Sequence, residues 1–342
     1  MTLRVAINGY GRVGRNIVRA YLEDSHRFSS VKIVAINDLA QFQTSAHLTE
    51  FDSTHGPLNR NLELIDDQLV IDGTSIQMLN VRDPDALPWR SLDIDLVLEC
   101  TGVMTAREQA ARHLEAGAKR VLVSAPGSDL DATLVYGVNH QNFKTEHRLI
   151  SNASCTTNCL APMCQVLDQQ FGITHGFMST VHAYTGDQCL VDGAHSDPYR
   201  GRAAAHSIIP TQTGAAAAIG AVLPRLSGRL DGMALRVPTL NVSLVDLTFT
   251  AATSVTADAV NSVMKSAAQK DPFGVLAYNQ KPLVSTDFNH SPYSCNFDGN
   301  HTRVNGSLVK VLAWYDNEWA FATRMLDQSV NLYQVSSLEA VA

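Results

Sequence analysis

The stretch RVAINGYGRVGRN, residues 4–16, constrains the fold more than any other part of this chain. Gly9, Gly11 and Gly14 stand in G-x-G-x-x-G spacing directly after a strand-like VAI. Val13, Ile17 and Tyr21 then follow at helical spacing, so the glycines fall where a strand turns into a helix. In that setting the first glycine makes the turn, the second lets backbone approach a pyrophosphate, and the third lets helix pack on strand. The helix N-terminus then faces the negative charge. The next apolar run, VKIVAI, ends at Asn37–Asp38, where an acidic side chain accepts from ribose hydroxyls and repels a 2′-phosphate. NAD is therefore expected in preference to NADP. The plainer alternative is a tight turn marked by three glycines, with Asp38 a helix cap.

Beyond this start, the runs LRVAI, VKIVAI, LVLEC, RVLVSA and ATLVYGV alternate with helix-like segments such as TAREQAARHLEAGAKR at 105–120. That alternation predicts a parallel sheet covered on both faces. After about residue 172 the texture changes to long β-branched runs, GFMSTVHAY, GMALRVPTLNVSLVDLTFTA and GSLVKVLAWYD, with a helical TADAVNSVMKSAAQ among them. A chain of 342 residues exceeds what one core usually supports, so a second domain is expected. The expected fold class is α/β: a Rossmann-type doubly wound parallel sheet plus an α+β catalytic domain with a mainly antiparallel sheet. The expected domains are residues 1–153, 154–320 and a C-terminal helix, 321–342, packing back onto the first. No repeat or low-complexity tract is visible.

Composition narrows the partners. A formal net charge of −7 gives no electrostatic ground for a nucleic-acid partner. The N-terminus lacks a secretory pattern and no run of 18 apolar residues occurs, so a cytoplasmic protein with no membrane partner is expected. Six cysteines in a reducing compartment are expected to stay free, and a special one to be chemical.

ISNASCTTNCLAP, residues 150–162, holds the candidate. Ser154, Thr156 and Thr157 suit a helix start, where backbone N–H groups and the dipole lower the pKa of a thiol; Cys155 is thus a plausible nucleophile. Pro162 implies that the helix kinks or that its regular part begins later. Cys159 and Cys164, interleaved with apolar residues, read as core thiols. Their spacing from Cys155 lacks the close pairs of a structural zinc site, and no metal is expected. His182 ends a strand-like run that aims it toward a cleft, a position for a general base. Downstream, Thr185, Asp187, Arg200, Thr213, Gly214 and Arg236 supply the hydroxyl, guanidinium and backbone N–H groups that a phosphate needs. Each alternatively serves as a turn residue or a solvated ion pair.

Taken together, INGYGRVGRN, SNASCTTNCLAP, HAYTGDQ, IIPTQTGAA, ALRVPTLNVSLVDLT and WYDNEWAF resemble, in order and spacing, the phosphorylating glyceraldehyde-3-phosphate dehydrogenase family over nearly the whole chain. The resemblance implies that Cys155 attacks an aldehyde to give a thiohemiacetal, with His182 as base, and that inorganic phosphate releases the resulting thioester as an acyl phosphate. It implies Thr185, Arg236, Asp187 and Arg200 for the substrate phosphate, and Ser154, Thr156, Thr213 and Gly214 for inorganic phosphate. For NAD it implies Asn8, Gly9, Gly11, Arg12, Val13, Gly14, Asp38, Thr101, Gly102, Ser124 and Asn317. A small phosphorylated aldehyde and inorganic phosphate are the implied partners. A homotetramer is also implied, with a loop at about 186–205 lying against a neighbouring subunit's cofactor site.

The chain departs from the family pattern at Gly193–Ala194, where NAD-dependent members commonly carry a proline, and at Ala320 and Phe321. LPWR, LVYGVNH and PLVSTDFNH are similar to the erythrose-4-phosphate dehydrogenase branch, the alternative enzyme. TGDQ and TQTG favour the glyceraldehyde-3-phosphate branch. A non-catalytic NAD-binding interaction protein is the remote alternative; it would need a damaged thiol site, and Cys155 and His182 are both present.

Overall fold

A computed structural model describes residues 2–339. The described residues divide into two compact units, one made of 2–134, 140–153 and 322–339, the other of 135–139 and 154–321.

The first unit is built on a nine-stranded sheet. Its order is Ala132–Thr133, Leu149–Ser151, Arg120–Val123, Leu96–Glu99, Leu3–Asn8, Val31–Asn37, Thr74–Leu79, Gln68–Ile71 and Leu62–Ile65. All neighbours pair in parallel until the last two strands, which turn back antiparallel at one edge. Central strands read as nearly unbroken apolar runs because both faces are covered; Val5, Ile7, Val97, Leu98, Val121 and Leu122 are all buried. Helices α1 (Arg12–Glu23), α2 (Phe42–Glu50) and α3 (Arg107–Glu115) belong to this unit. The strand order reverses between Leu3–Asn8 and Leu96–Glu99, the point at which a doubly wound sheet opens a crevice beyond its strand ends.

Glycine makes the first turn possible. Gly9 has φ 90, and a Cβ there would lie 2.6 Å from the Thr101 nitrogen. A Cβ on Gly14 would run into the Gly9 carbonyl oxygen. Gly11, the N-cap of α1, has no atom within 4 Å of where its Cβ would stand.

The second unit holds a seven-stranded sheet in the order Ile209–Thr211, Leu230–Val237, Ile173–Ala183, Ser243–Ala251, Leu308–Tyr315, Cys295–Asn305 and Leu276–Asn279. Most of its pairings are antiparallel; Ile173–Ala183 with Leu230–Val237, and Leu276–Asn279 with Cys295–Asn305, are parallel. Helices α4 (Cys155–Phe171), α5 (Ala215–Val222) and α6 (Ala257–Lys270) accompany it. The last helix, α7 (Trp319–Glu339), begins in the second unit and runs from Ala322 in the first, where Asp327 pairs with Arg27 at 2.7 Å.

Two sequence expectations change. ATLVYGV, read as a full strand, pairs only at Ala132–Thr133, and residues 135–139 belong to the other unit. The proline in α4 does not delay the helix, which begins at Cys155 and contains Pro162.

Candidate active site

The crevice of the first unit is a cleft of about 410 Å³ lined by Asn8, Gly9 and Gly11, by Asn37, Asp38 and Arg82, and by Cys100, Thr101, Val103 and Met104 among others. Strand ends and the turns after them supply most of this wall. Asp38 accepts from the Tyr10 N–H at 2.6 Å on Oδ2 and from the Ala40 N–H at 2.8 Å on Oδ1. A carboxylate has about four acceptor positions, so it retains capacity for ligand hydroxyls. Arg12, at the start of α1, pairs with Asp52. Burial works to raise that carboxyl, but Arg12 and the N–H groups of His55 and Thr54 hold it down to about 2. Gly102 follows Thr101 in the positive-φ region, at φ 75. Ser124, just past the strand Arg120–Val123, donates its N–H to the Glu99 carbonyl at 2.9 Å. Val13 and Gly14 lie in the first turn of α1. The residues present fit a dinucleotide: Gly11, at the N-cap of α1, lines the cleft, and a Cβ there would meet nothing within 4 Å, which leaves room for a ligand beside the helix N-terminus.

The second unit places the thiol. Ala153, the residue before the helix cap Ser154, adopts φ 57. Ser154 caps α4, its hydroxyl accepting from the Thr157 N–H at 3.0 Å. Cys155 is therefore the first residue of the helix, half-buried, with Sγ 3.5 Å from His182 Nε2. His182 stands near the end of Ile173–Ala183, in register with Arg236 on the adjacent parallel strand. Its Nδ1 lies 2.6 Å from the Ala183 carbonyl, which can only accept, so Nδ1 carries the ring hydrogen; Arg236 Nη1, 2.8 Å from Nδ1, donates to that carbonyl at 3.1 Å and not to the ring. With Nδ1–H donating to the carbonyl, Nε2 faces the thiol with its lone pair. Burial first, and Arg236 second, hold the imidazole down to about 3, so it is a neutral base at physiological pH.

One electrostatic expectation is corrected. The helix start was expected to lower the pKa of Cys155; burial instead pushes the thiol up, and Arg236, the Thr156 hydroxyl and backbone N–H groups offset only part of that. An isolated thiolate here is disfavoured, so the imidazole must take the proton as the sulfur reacts.

Around this pair, the Tyr315 hydroxyl shares hydrogen bonds of 2.8 Å with both Thr156 and Thr180, and its ring meets His182 edge-on at 6.0 Å. Nothing in WYDNEW as a sequence marks Tyr315 for this place. Asn317 Oδ1 accepts from Ser243 Oγ at 2.7 Å, and that oxygen accepts from the Ala183 N–H. Asp187 and Arg200 come together at 2.6 Å, and Arg200 Nε donates to Thr211 at 2.9 Å. Thr185 donates its N–H to Gln188 Oε1. Thr213 and Gly214 stand at the start of α5, where the Thr213 hydroxyl accepts from the Ala215 N–H. Arg236 Nε is buried without a hydrogen-bond partner, an unmet donor in the wall of the thiol site. Cys159 and Cys164 are fully buried. Among the described residues, no group of His, Cys, Asp and Glu is placed to hold a metal ion.

Thiol chemistry in the service of a nicotinamide cofactor defines the NAD-dependent oxidoreductases that act on aldehydes, the class into which this chain falls. The family description "Glyceraldehyde 3-phosphate dehydrogenase, NAD binding domain" matches residues 3–107, and the corresponding C-terminal domain matches residues 154–317. Glyceraldehyde-3-phosphate dehydrogenase of Pseudomonas aeruginosa is 54% identical over 332 residues, covering 97% of this chain and 98% of the relative. Glyceraldehyde-3-phosphate dehydrogenase 2 of Bacillus subtilis is 50% identical, covering 96% of each. The chain belongs to the glyceraldehyde 3-phosphate dehydrogenase family.

Proposed function

We propose that the protein oxidises glyceraldehyde 3-phosphate to 1,3-bisphosphoglycerate, with NAD and inorganic phosphate as co-substrates. The observation that carries this reading is Cys155 Sγ set 3.5 Å from His182 Nε2, with a buried, unmet Arg236 donor in the same wall. Sγ bonds to the aldehyde carbon while its proton passes to His182 Nε2. The imidazolium and the Cys155 N–H at the head of α4 hold the oxygen of the thiohemiacetal, a donor role worth about 3–4 kcal/mol. When bound, NAD supplies the two-electron acceptor for hydride leaving that carbon. The imidazolium first gives its proton to the thiohemiacetal oxygen, completing its hydroxyl, and the neutral His182 Nε2 takes it back as hydride leaves and the thioester forms. Phosphate oxygen then attacks the acyl carbon, and the C–S bond breaks to return Cys155 as a thiolate.

Arg236 and Thr185 bind the substrate phosphate. Arg200 joins them, oriented by Asp187; that carboxylate does not itself contact the phosphate, since like charges repel. Ser154, Thr156, Thr213 and Gly214 offer hydroxyl and N–H groups to inorganic phosphate. Asn317, with Oδ1 engaged by Ser243, offers Nδ2 to the nicotinamide amide. Asn8, Gly9, Gly11, Arg12, Val13, Gly14, Asp38, Thr101, Gly102 and Ser124 form the cofactor side. Residues 1–153, apart from 135–139, with the C-terminal helix from Ala322 on, form the NAD domain, and 154–321 with 135–139 the catalytic domain. The working form is a cytoplasmic homotetramer; no described helix is long and apolar enough to cross a membrane. The test is NADH production, dependent on inorganic phosphate, from glyceraldehyde 3-phosphate and from erythrose 4-phosphate. A higher kcat/KM for the four-carbon substrate overturns the assignment.

A further inference from the structure

Beneath the wall of the cofactor cleft lies a buried polar relay that no step above uses. Glu99 ends the strand Leu96–Glu99 and is 1% exposed; His113 on α3 and Trp89 are fully buried. The Trp89 indole N–H, which can only donate, gives its hydrogen to His113 Nδ1 at 3.1 Å. Nδ1 is thus an acceptor, and the imidazole hydrogen sits on Nε2, which donates to Glu99 Oε2 at 3.0 Å. The same oxygen accepts from Asn8 Nδ2 at 2.6 Å. Oε1 accepts from the Thr101 N–H at 2.7 Å and from the Thr101 hydroxyl. Four donors converge on one carboxylate, and two of the residues supplying them, Asn8 and Thr101, line the cleft.

We propose that His113 is a positioning residue for NAD, holding Glu99 so that Asn8 and Thr101 are set before the cofactor arrives. The relay determines what each of them can show a ligand. Thr101 commits both its hydrogens to Glu99, and its Oγ1 accepts from the Val103 N–H at 3.2 Å, so it meets the cofactor as an acceptor for a hydroxyl or amide donor. Asn8 commits Nδ2 to Glu99 and accepts from Asn37 Nδ2 at 2.8 Å on Oδ1; Asn37 in turn accepts from the Val81 N–H. Its rotamer is fixed from both sides. Without the His113 donor, Oε2 keeps Asn8 alone and the indole loses its acceptor, so Glu99 is held only through the two wall residues themselves and can shift together with them. The proposal rests on NAD occupying this cleft and not on the thiol chemistry.

Direct titration of the full-length protein with NAD, without aldehyde, separates it from the catalytic assignment. His113→Leu is expected to raise the NAD dissociation constant about tenfold or more, the scale of one lost hydrogen bond to a buried charged group. His113→Gln, which keeps an N–H for Glu99, is expected to recover affinity to within about threefold of wild type. At saturating NAD, kcat should stay within about twofold in both variants, because the loss lies in binding. Wild-type affinity in a folded His113→Leu protein overturns the proposal. So does a His113→Gln variant as weak as His113→Leu, which would make the imidazole a mere space-filler. Should His113→Leu fail to fold, Glu99→Gln decides. It keeps the shape but turns one acceptor into a donor facing donors, and unchanged NAD binding there overturns the relay.

Discussion

Cys155 and His182 are each held in their neutral forms by burial, yet lie within reach of one proton transfer. Moving the proton from Sγ to Nε2 creates two opposite charges that stabilise each other in a setting of low dielectric. The reactivity of the thiol therefore depends on the imidazole. His182→Asn is expected to lower turnover by about 10²–10⁴-fold. It is also expected to shift the pH profile of iodoacetamide alkylation at Cys155 to higher pH; superimposable profiles for variant and wild type would remove the pair from the mechanism. Cys155→Ser should abolish aldehyde oxidation and leave NAD binding near wild type, since a hydroxyl at neutral pH is a far poorer nucleophile. Peptide mapping that finds Cys159 alkylated before Cys155 would misplace the nucleophile. At this scale the helix start at Cys155 was legible, because small hydroxyl residues before an apolar helix are a readable cap. The sequence could not give the net effect on the thiol's pKa, because desolvation depends on strands from distant parts of the chain. It was equally silent on Glu99 and His113: a glutamate ending an apolar run and a histidine in an ordinary helix carry no local mark of pairing.

The turn from the first strand into α1 shows how one element serves fold and ligand through different glycines. Gly9 and Gly14 are required by the protein's own backbone, since a methyl group on either meets the main chain of Thr101 or of Gly9. Gly11 touches nothing of the protein within 4 Å, so its clearance is explained by what occupies the cleft. Gly11→Ala is accordingly expected to leave the melting temperature within about 2 °C, as a surface change of under 0.5 kcal/mol should. It should still weaken NAD binding about tenfold or more. Gly14→Ala should lower stability by about 1–3 kcal/mol, the cost of overpacking. Calorimetry and NAD titration on both variants check the contrast, and a Gly11→Ala protein with wild-type affinity contradicts it. The strand–turn–helix was legible because spacing, apolar run and helical period all agree there. ATLVYGV misled because its apolar residues suit a strand as well as a buried turn; Val135 N–H accordingly donates to Asn139 Oδ1 instead of to a neighbouring strand.

At the scale of the molecule, the second unit has exposed large apolar side chains: Phe177, Ile208 and Met233 on or beside the first three strands of its sheet, and Leu190, Val191 and Tyr199 in the segment that follows His182. Phe177 lies on Ile173–Ala183 directly opposite Thr248 on one side and Asp231 on the other. Its outward position is therefore fixed by register and is not a rotamer accident. Scattered single apolar residues need no explanation, but several of this size on one unit fit burial against other copies. Closed 222 assemblies reuse the same patches on every copy, so one substitution is felt at every equivalent contact. Light scattering at micromolar concentration is expected to give a mass near four chains of 37.1 kDa. Phe177→Asp, which buries an unpaired charge at each such contact, is expected to shift the mass toward dimers or monomers while the far-ultraviolet circular dichroism stays unchanged. A wild-type protein that sediments as a monomer and turns over at full rate would refute the assembly. A Phe177→Asp protein that stays tetrameric would instead leave this face in solvent and move the contacts to Leu190, Val191 and Tyr199.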